Sequence, residues 1–129
     1  MPDINILATL VAAVSSFFLG GLWYSPALFG KTWMAETGVK GDEQHPGKVF
    51  GTAFVFTLIS AFVFACLLGP APELMQSIKF GLLVGIGFVA ASFGINYQFS
   101  NKSFRLLLID AGYHCGQFVI YAVILGLWH

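Results

Sequence analysis

Four long stretches with almost no charged residues dominate this sequence and restrict what it can fold into. They cover about residues 4–24, 49–68, 80–97 and 106–128. Each is close to the roughly 20 apolar residues that a helix needs to cross the hydrocarbon core of a bilayer. Across the chain 57% of residues are hydrophobic and only 9% are charged, whereas a soluble domain carries about 25% charged residues. The sequence therefore predicts an integral membrane protein.

The same composition excludes several other classes of protein. Disordered chains and nucleic-acid-binding domains need more charged side chains, and a disulfide scaffold needs more than the two cysteines present here. The apolar stretches are also too long and uniform for the alternating pattern of an outer-membrane barrel. We expect an all-α fold, a four-helix bundle forming a single transmembrane domain over residues 1–129. Its expected partner is the lipid bilayer and not a nucleic acid.

Several of the predicted helix ends carry a chemical signal. Gly69 and Pro70 suit the end of the second span, because glycine adopts a cap conformation and proline cannot continue the helix. An acid in the first turn favours a helix start at Glu73. Asn101 or Ser103 is expected to cap the fourth helix.

The basic residues predict how the chain is oriented. Five of the six lie in the connections after the first and third spans, and the sixth, Lys79, lies on the opposite side; the five are Lys31, Lys40, Lys48, Lys102 and Arg105. Because positive charge is retained in the cytoplasm, both termini are expected outside, in a plasma or inner membrane. The start of the chain lacks the positive charge of a cleavable signal peptide, so we expect the first span to be kept.

The connection after the first span is predicted to begin with a short interfacial helix. Ser25 suits its cap, Pro26 its first turn and Gly38 its end. Phe29 and Trp33 are four residues apart and would form one aromatic side. Aromatic and basic side chains together suit the headgroup level of a membrane, so we expect this helix to lie along the surface.

Small residues mark the faces on which membrane helices pack closely. They form a row in the first span (Ala8, Ala12, Ser16, Gly20), another in the third (Gly81, Gly85, with Ser92 and Asn96), and a third in the last span (Gly112, Gly116). The second span is rich in phenylalanine and is expected to be the most exposed to lipid. The last span has its glycines opposite a polar row, and two protein-facing sides in so small a bundle favour a homo-oligomer.

The polar row of the fourth span is the strongest functional signal. Its members are Asp110, His114, Gln117 and Tyr121, which lie within roughly 60° of one another on an ideal helix. A lone aspartate at that depth costs about 2.5 to 3.5 kcal/mol, so something must offset the cost. The expected partners of Asp110 are His114, the third-span face that carries Ser92 and Asn96, or the cations Lys102 and Arg105 reaching inward.

Two interpretations of this row remain open. A polar row can simply hold helices or subunits together, which predicts a non-enzymatic structural or accessory module. Alternatively, Asp110 and His114 can relay a proton or gate a small solute, because both can change charge near neutral pH in a suitable environment. Adjacent helix positions diverge by about 100°, so His114 and Cys115 are not expected to share a metal ion. We expect no cofactor and no enzymatic activity.

An aromatic block at the end of the first span resembles a known family. The block reads Gly20-Gly21-Leu22-Trp23-Tyr24-Ser25-Pro26, then Leu28-Phe29-Gly30-Lys31 and Trp33-Met34. It is similar to domain-of-unknown-function family 1761, whose members share this chain's size and four predicted spans. The resemblance implies a membrane location and supplies no catalytic residues. Physically, Trp23, Tyr24, Ser25, Pro26 and Trp33 are interpreted either as a membrane anchor and turn or as a cytoplasmic mouth that a ligand enters.

Overall fold

The computed structural model describes residues 4–39 and 45–129, and within them the regular structure is helical. Four helices are long and apolar enough to cross a membrane: α1 (Ile6–Trp23), α3 (Pro46–Leu68), α4 (Leu74–Phe99) and α5 (Phe104–Leu127). A short helix, α2 (Gly30–Thr37), lies between α1 and α3. The predicted all-α membrane fold, with a short helix after the first span, is confirmed.

The helix ends follow most of the predicted capping signals. The Ser103 side chain caps α5 by accepting a 3.0 Å hydrogen bond from the Leu106 amide, and Gly69 ends α3 with a φ of 79°. Glu73 is the residue before α4, which begins at Leu74, so the helix start predicted at Glu73 is confirmed. The charge-free stretch 80–97 is the later part of this longer helix. Lys79 is exposed within the helix, where a long apolar stem can carry an ammonium group to the membrane interface.

The short helix begins later than the sequence predicts. Ser25 and Pro26 lie in a turn and not at the start of α2, and the Ser25 hydroxyl donates 2.7 Å to the Leu22 carbonyl. The helix starts at Gly30, whose amide donates to the Ser25 carbonyl at 2.9 Å. A Cβ at Gly30 would lie 2.3 Å from the Tyr24 carbonyl oxygen, so only glycine fits there. The predicted end is confirmed, since Gly38 is left-handed with a φ of 74°.

Contacts between elements define two ends of the bundle. At the first, which we call the α2 end, Trp23 at the end of α1 contacts Ile109 of α5, and Ser103 donates a hydrogen bond to Glu36 of α2. At the opposite end, a cavity of about 410 Å³ lies between the start of α1, the α3–α4 turn and Trp128. We call this second end the terminal end.

The helix most enclosed by the others is α5. Of the 18 residues in its apolar stretch, 44% are buried within the chain. The corresponding share is 22% in α3 and 11% in α4. The phenylalanine-rich α3, expected to be the most exposed to lipid, is therefore more covered by the other helices than α4 is. The reason is that α3 directs some of its rings inward: Phe54 packs edge-on against Phe17 at 5.3 Å, and Phe64 against Phe118 at 5.5 Å.

The small-residue faces pack within the chain. Ala8, Ala12 and Ser16 of α1 are fully buried. In α4, which has a π-helical middle (Leu83–Ala90), a Cβ at Gly81 would lie 2.8 Å from the Phe118 carbonyl oxygen of α5.

The glycines of α5 likewise face a helix of the same chain. A Cβ at Gly112 would lie 3.0 Å from the Trp23 ring, and one at Gly116 would lie 3.0 Å from Leu19. Trp23 and Leu19 both belong to α1. This contact removes the reason for assigning the glycine side of α5 to a second subunit.

Candidate functional site

Asp110 lies in the second turn of α5 and is 9% exposed. The Tyr24 hydroxyl donates a 2.7 Å hydrogen bond to its Oδ1 atom, and the Tyr97 hydroxyl donates to its Oδ2 atom. Each carboxylate oxygen therefore accepts a hydrogen bond from a different phenol. One phenol lies at the end of α1 and the other near the end of α4. We call Tyr24, Tyr97 and Asp110 the Asp110 clamp.

The direction of side chains on a helix brings the clamp together. Side chains lean toward the N-terminus of their own helix. Tyr97 is near the end of α4, so its long side chain leans into the bundle, whereas Asp110 is near the start of α5 and leans back toward the α2 end. The two groups therefore approach each other. Tyr97 escaped the sequence analysis because partners for Asp110 were sought by the depth of the backbone.

Trp23 reinforces the clamp from the position before Tyr24. Its Nε1 atom donates a 2.8 Å hydrogen bond to the carbonyl oxygen of Ile109, the residue before Asp110. Gly112 has no side chain and therefore leaves space for this indole, since a Cβ there would lie 3.0 Å from the Trp23 ring. Trp23 and Tyr24 are half-buried, and their polar atoms bind α5, so these two aromatic residues fix the register of α1 on α5.

The clamp has aromatic surroundings. The Tyr24 ring lies edge-on to Trp33 of α2 at 5.9 Å and to Tyr113 of α5 at 5.6 Å. Burial and the hydrogen bond to Asp110 raise the pKa of the Tyr24 phenol well above its usual value. Tyr24 therefore stays protonated and able to donate at physiological pH. Two donors suit an ionised carboxylate, which can only accept hydrogen bonds.

The other three residues of the predicted polar row form a separate network. His114 Nδ1 lies 2.7 Å from the Gln117 side-chain oxygen, and the Gln117 amide donates to the Tyr121 hydroxyl at 2.8 Å. The Tyr121 oxygen lies 2.7 Å from the Ser60 hydroxyl and 3.2 Å from the Thr57 carbonyl oxygen of α3. We call this the His114 network; it connects α5 to α3.

The predicted single row is thus divided into two groups. Asp110 bonds to two tyrosines, while His114 bonds to Gln117 and stacks on Phe93 at 5.1 Å. Between the two groups lies Tyr113, whose ring is 4.9 Å from His114 and whose hydroxyl donates to the Ser16 carbonyl at 3.1 Å. The expected hydrogen bond between Asp110 and His114 is replaced by these contacts.

The other expected partners of Asp110 lie elsewhere. Ser92 and Asn96 are exposed on α4, where they line a groove of about 330 Å³ together with Phe93 and two further apolar residues. Lys102 and Arg105 are exposed at the α2 end. Ser92 and Asn96, two of the possible partners of the polar row, thus lie on the outward face of α4 and point away from α5.

The Asp110 clamp and the His114 network both join helices of the same chain. Within residues 4–39 and 45–129, no three His, Cys, Asp or Glu side chains come together as metal ligands would. Neither the terminal-end cavity nor the α4 groove is lined by Asp110.

Comparison with known proteins adds one finding. A family model matches residues 7–126, a range that includes nearly all of the four long helices and both hydrogen-bond networks. No curated protein and no solved structure matches the chain. The chain therefore belongs to the family described as Protein of unknown function (DUF1761).

Proposed function

We propose that this chain is a non-enzymatic structural or accessory membrane module whose helices the Asp110 clamp holds together. The observation that carries the proposal is that both oxygens of Asp110 accept a hydrogen bond, one from α1 and one from α4. An acid within a membrane helix is costly unless it is paired, and here two donated hydrogen bonds offset that cost. In this proposal the Asp110 carboxylate serves to hold α1, α4 and α5 together.

Reconstitution of an Asp110→Asn variant tests this proposal. Asparagine keeps the shape and one acceptor but carries no charge. If the residue is structural, the variant folds with a changed melting temperature, and neither it nor the wild type carries pH-driven flux in proteoliposomes. Glu73→Gln is the matched control, because Glu73 is exposed and its side chain makes no capping bond. Wild-type flux that disappears in Asp110→Asn at an unchanged melting temperature contradicts the proposal.

A second proposal is a proton relay or minimal transporter for a small solute, and the His114 network favours it. Histidine, an amide and hydroxyls form a continuous hydrogen-bonded line from His114 to Ser60. A histidine can take up or release a proton near neutral pH. The gap at Tyr113 between this line and Asp110 makes the relay the weaker of the two proposals. If the relay exists, the wild type carries pH-driven flux and His114→Gln abolishes it. If the relay does not exist, neither the wild type nor the variant carries this flux.

We also propose that the module self-associates as a homo-oligomer through α4. This helix is the least enclosed of the four, and it exposes the polar Ser92 and Asn96 on its groove. Polar side chains on membrane helices favour hydrogen bonds to a neighbouring helix. The molar mass of the detergent-solubilised protein tests this. An oligomer that separates in Asn96→Leu agrees with the proposal, and a monomeric wild type contradicts it.

The proposed orientation places both termini outside, in a plasma or inner membrane. It is supported by the exposed basic residues at the α2 end, including Lys31, Lys102 and Arg105. The labelling experiment in the Discussion tests it.

A further inference from the structure

The α2 end carries a rim of exposed cations. The described members are Lys31, Lys48, Lys102 and Arg105, which we call the basic rim. They come from α2, the first turn of α3, the α4–α5 turn and the first turn of α5. The rim thus gathers basic residues from four places in the chain at one end of the bundle.

The acid of α2 lies away from Lys31 but next to the segment that carries Lys102 and Arg105. Glu36 accepts a hydrogen bond from Ser103 and is half-buried against α5. Five residues correspond to about 140° around a helix, so Lys31 lies on the other side of α2, next to the exposed Met34. The contact with Ser103 therefore holds the Glu36 carboxylate away from Lys31, the basic residue of α2.

The described residues give the two ends different charges. At the α2 end, apart from Asp110 of the clamp, they comprise the four cations of the basic rim and one acid, Glu36. At the terminal end they comprise one basic residue, Lys79, and one acid, Glu73. Residues 98–109 contain Lys102 and Arg105 and no acid, and the carboxylate that contacts this segment, Glu36, is half-buried and bonded to Ser103.

We infer that the basic rim binds the phosphate groups of anionic phospholipids, with Lys102 and Arg105 as the main contacts. Basic side chains directly beside a membrane helix attract anionic headgroups. Exposed apolar side chains accompany them, since Phe104 is 69% exposed beside Arg105 and Met34 is 46% exposed beside Lys31. A cation next to an apolar side chain matches the boundary between headgroups and acyl chains.

Lipid retention in the full chain tests this inference. The protein is extracted from nanodiscs that contain equal amounts of phosphatidylglycerol and phosphatidylcholine, and the bound lipid is measured by native mass spectrometry. We expect the wild type to retain phosphatidylglycerol preferentially. Each of Lys102→Gln and Arg105→Gln should weaken this retention about fivefold, as expected for the loss of one surface cation, and the double variant should abolish the preference. Excess inorganic phosphate should leave the lipid bound.

The control is Lys79→Gln, which removes an exposed cation at the terminal end. It should retain phosphatidylglycerol like the wild type. All variants are first compared in phosphatidylcholine alone, where equal melting temperatures establish that they fold. Equal retention of the two lipids by the wild type overturns the inference. So does an equal loss in Lys79→Gln and the double variant, or displacement of the lipid by phosphate alone.

Discussion

The Tyr24 hydroxyl lies 2.7 Å from the Asp110 carboxylate although 86 positions separate the two residues in the chain. The preceding pair repeats the relationship, because the Trp23 indole bonds to the Ile109 carbonyl at 2.8 Å. Two consecutive residues at the end of α1 thus bind two consecutive residues of α5. This double contact fixes how far α1 slides along α5 and places Asp110 within reach of Tyr97.

Removing either phenolic hydroxyl should destabilise the bundle. Tyr24→Phe and Tyr97→Phe each leave one oxygen of Asp110 without its donor, and a buried group without its partner costs about 1–3 kcal/mol. The free energy of unfolding in detergent measures this loss. Ser100→Ala is the control, because that exposed hydroxyl bonds only to a backbone carbonyl of its own helix. Stability equal to that of the wild type in both tyrosine variants contradicts the role of the clamp.

The stability of the protein should fall at high pH in part through Tyr24. Burial raises the pKa of this phenol in the folded protein, whereas the unfolded value is about 10. A raised pKa means that the contribution is complete below about pH 10 and is lost as the pH rises further. Melting temperatures measured across this range should decline less in Tyr24→Phe than in the wild type. Parallel declines in the two proteins would sink this assignment.

Two glycines of α4 should respond oppositely to the same substitution. A Cβ at Gly81 would lie 2.8 Å from the Phe118 backbone oxygen, whereas one at Gly87 would meet no atom within 4 Å. Gly81→Ala should therefore cost about 1–3 kcal/mol through overpacking, and Gly87→Ala should be neutral or slightly stabilising because alanine favours helix. Thermal unfolding of the two variants measures the difference. Equal effects would mean that α4 and α5 are not in close contact.

Accessibility to a membrane-impermeant thiol reagent should differ between the two ends. Asn101→Cys reports on the α2 end and Ala71→Cys on the terminal end, each in a background without Cys66 and Cys115. The positive-inside rule predicts that the Asn101→Cys variant reacts only from the cytoplasm and the Ala71→Cys variant only from outside. The reverse pattern shows that the orientation is inverted, and reaction of both from one face contradicts the four-span topology.

Local signals in the sequence predicted the positions of the helices better than they predicted the contacts between them. Apolar length identified all four long helices, and glycine and serine caps correctly marked ends such as Gly38, Gly69 and Ser103. These features depend on a few neighbouring residues.

The candidate site was only partly predictable because its partners are distant in sequence. The polar row identified Asp110 as a group that needs partners, but it did not identify Tyr97. The periodicity of α5 also suggested one continuous row. The insertion of Tyr113 between the two networks depends on packing against α1, which the pattern of a single helix does not contain.

The most direct test of the Asp110 clamp is a double-mutant cycle between Tyr24→Phe and Asp110→Leu, with the free energy of unfolding measured in detergent. Removal of the Tyr24 hydroxyl should destabilise the wild type. The same removal should cost little in Asp110→Leu, because that variant has no carboxylate to accept the hydrogen bond. The account predicts a coupling of about 0.5–3 kcal/mol between the two positions. Losses that add within about 0.5 kcal/mol would contradict a clamp at Asp110.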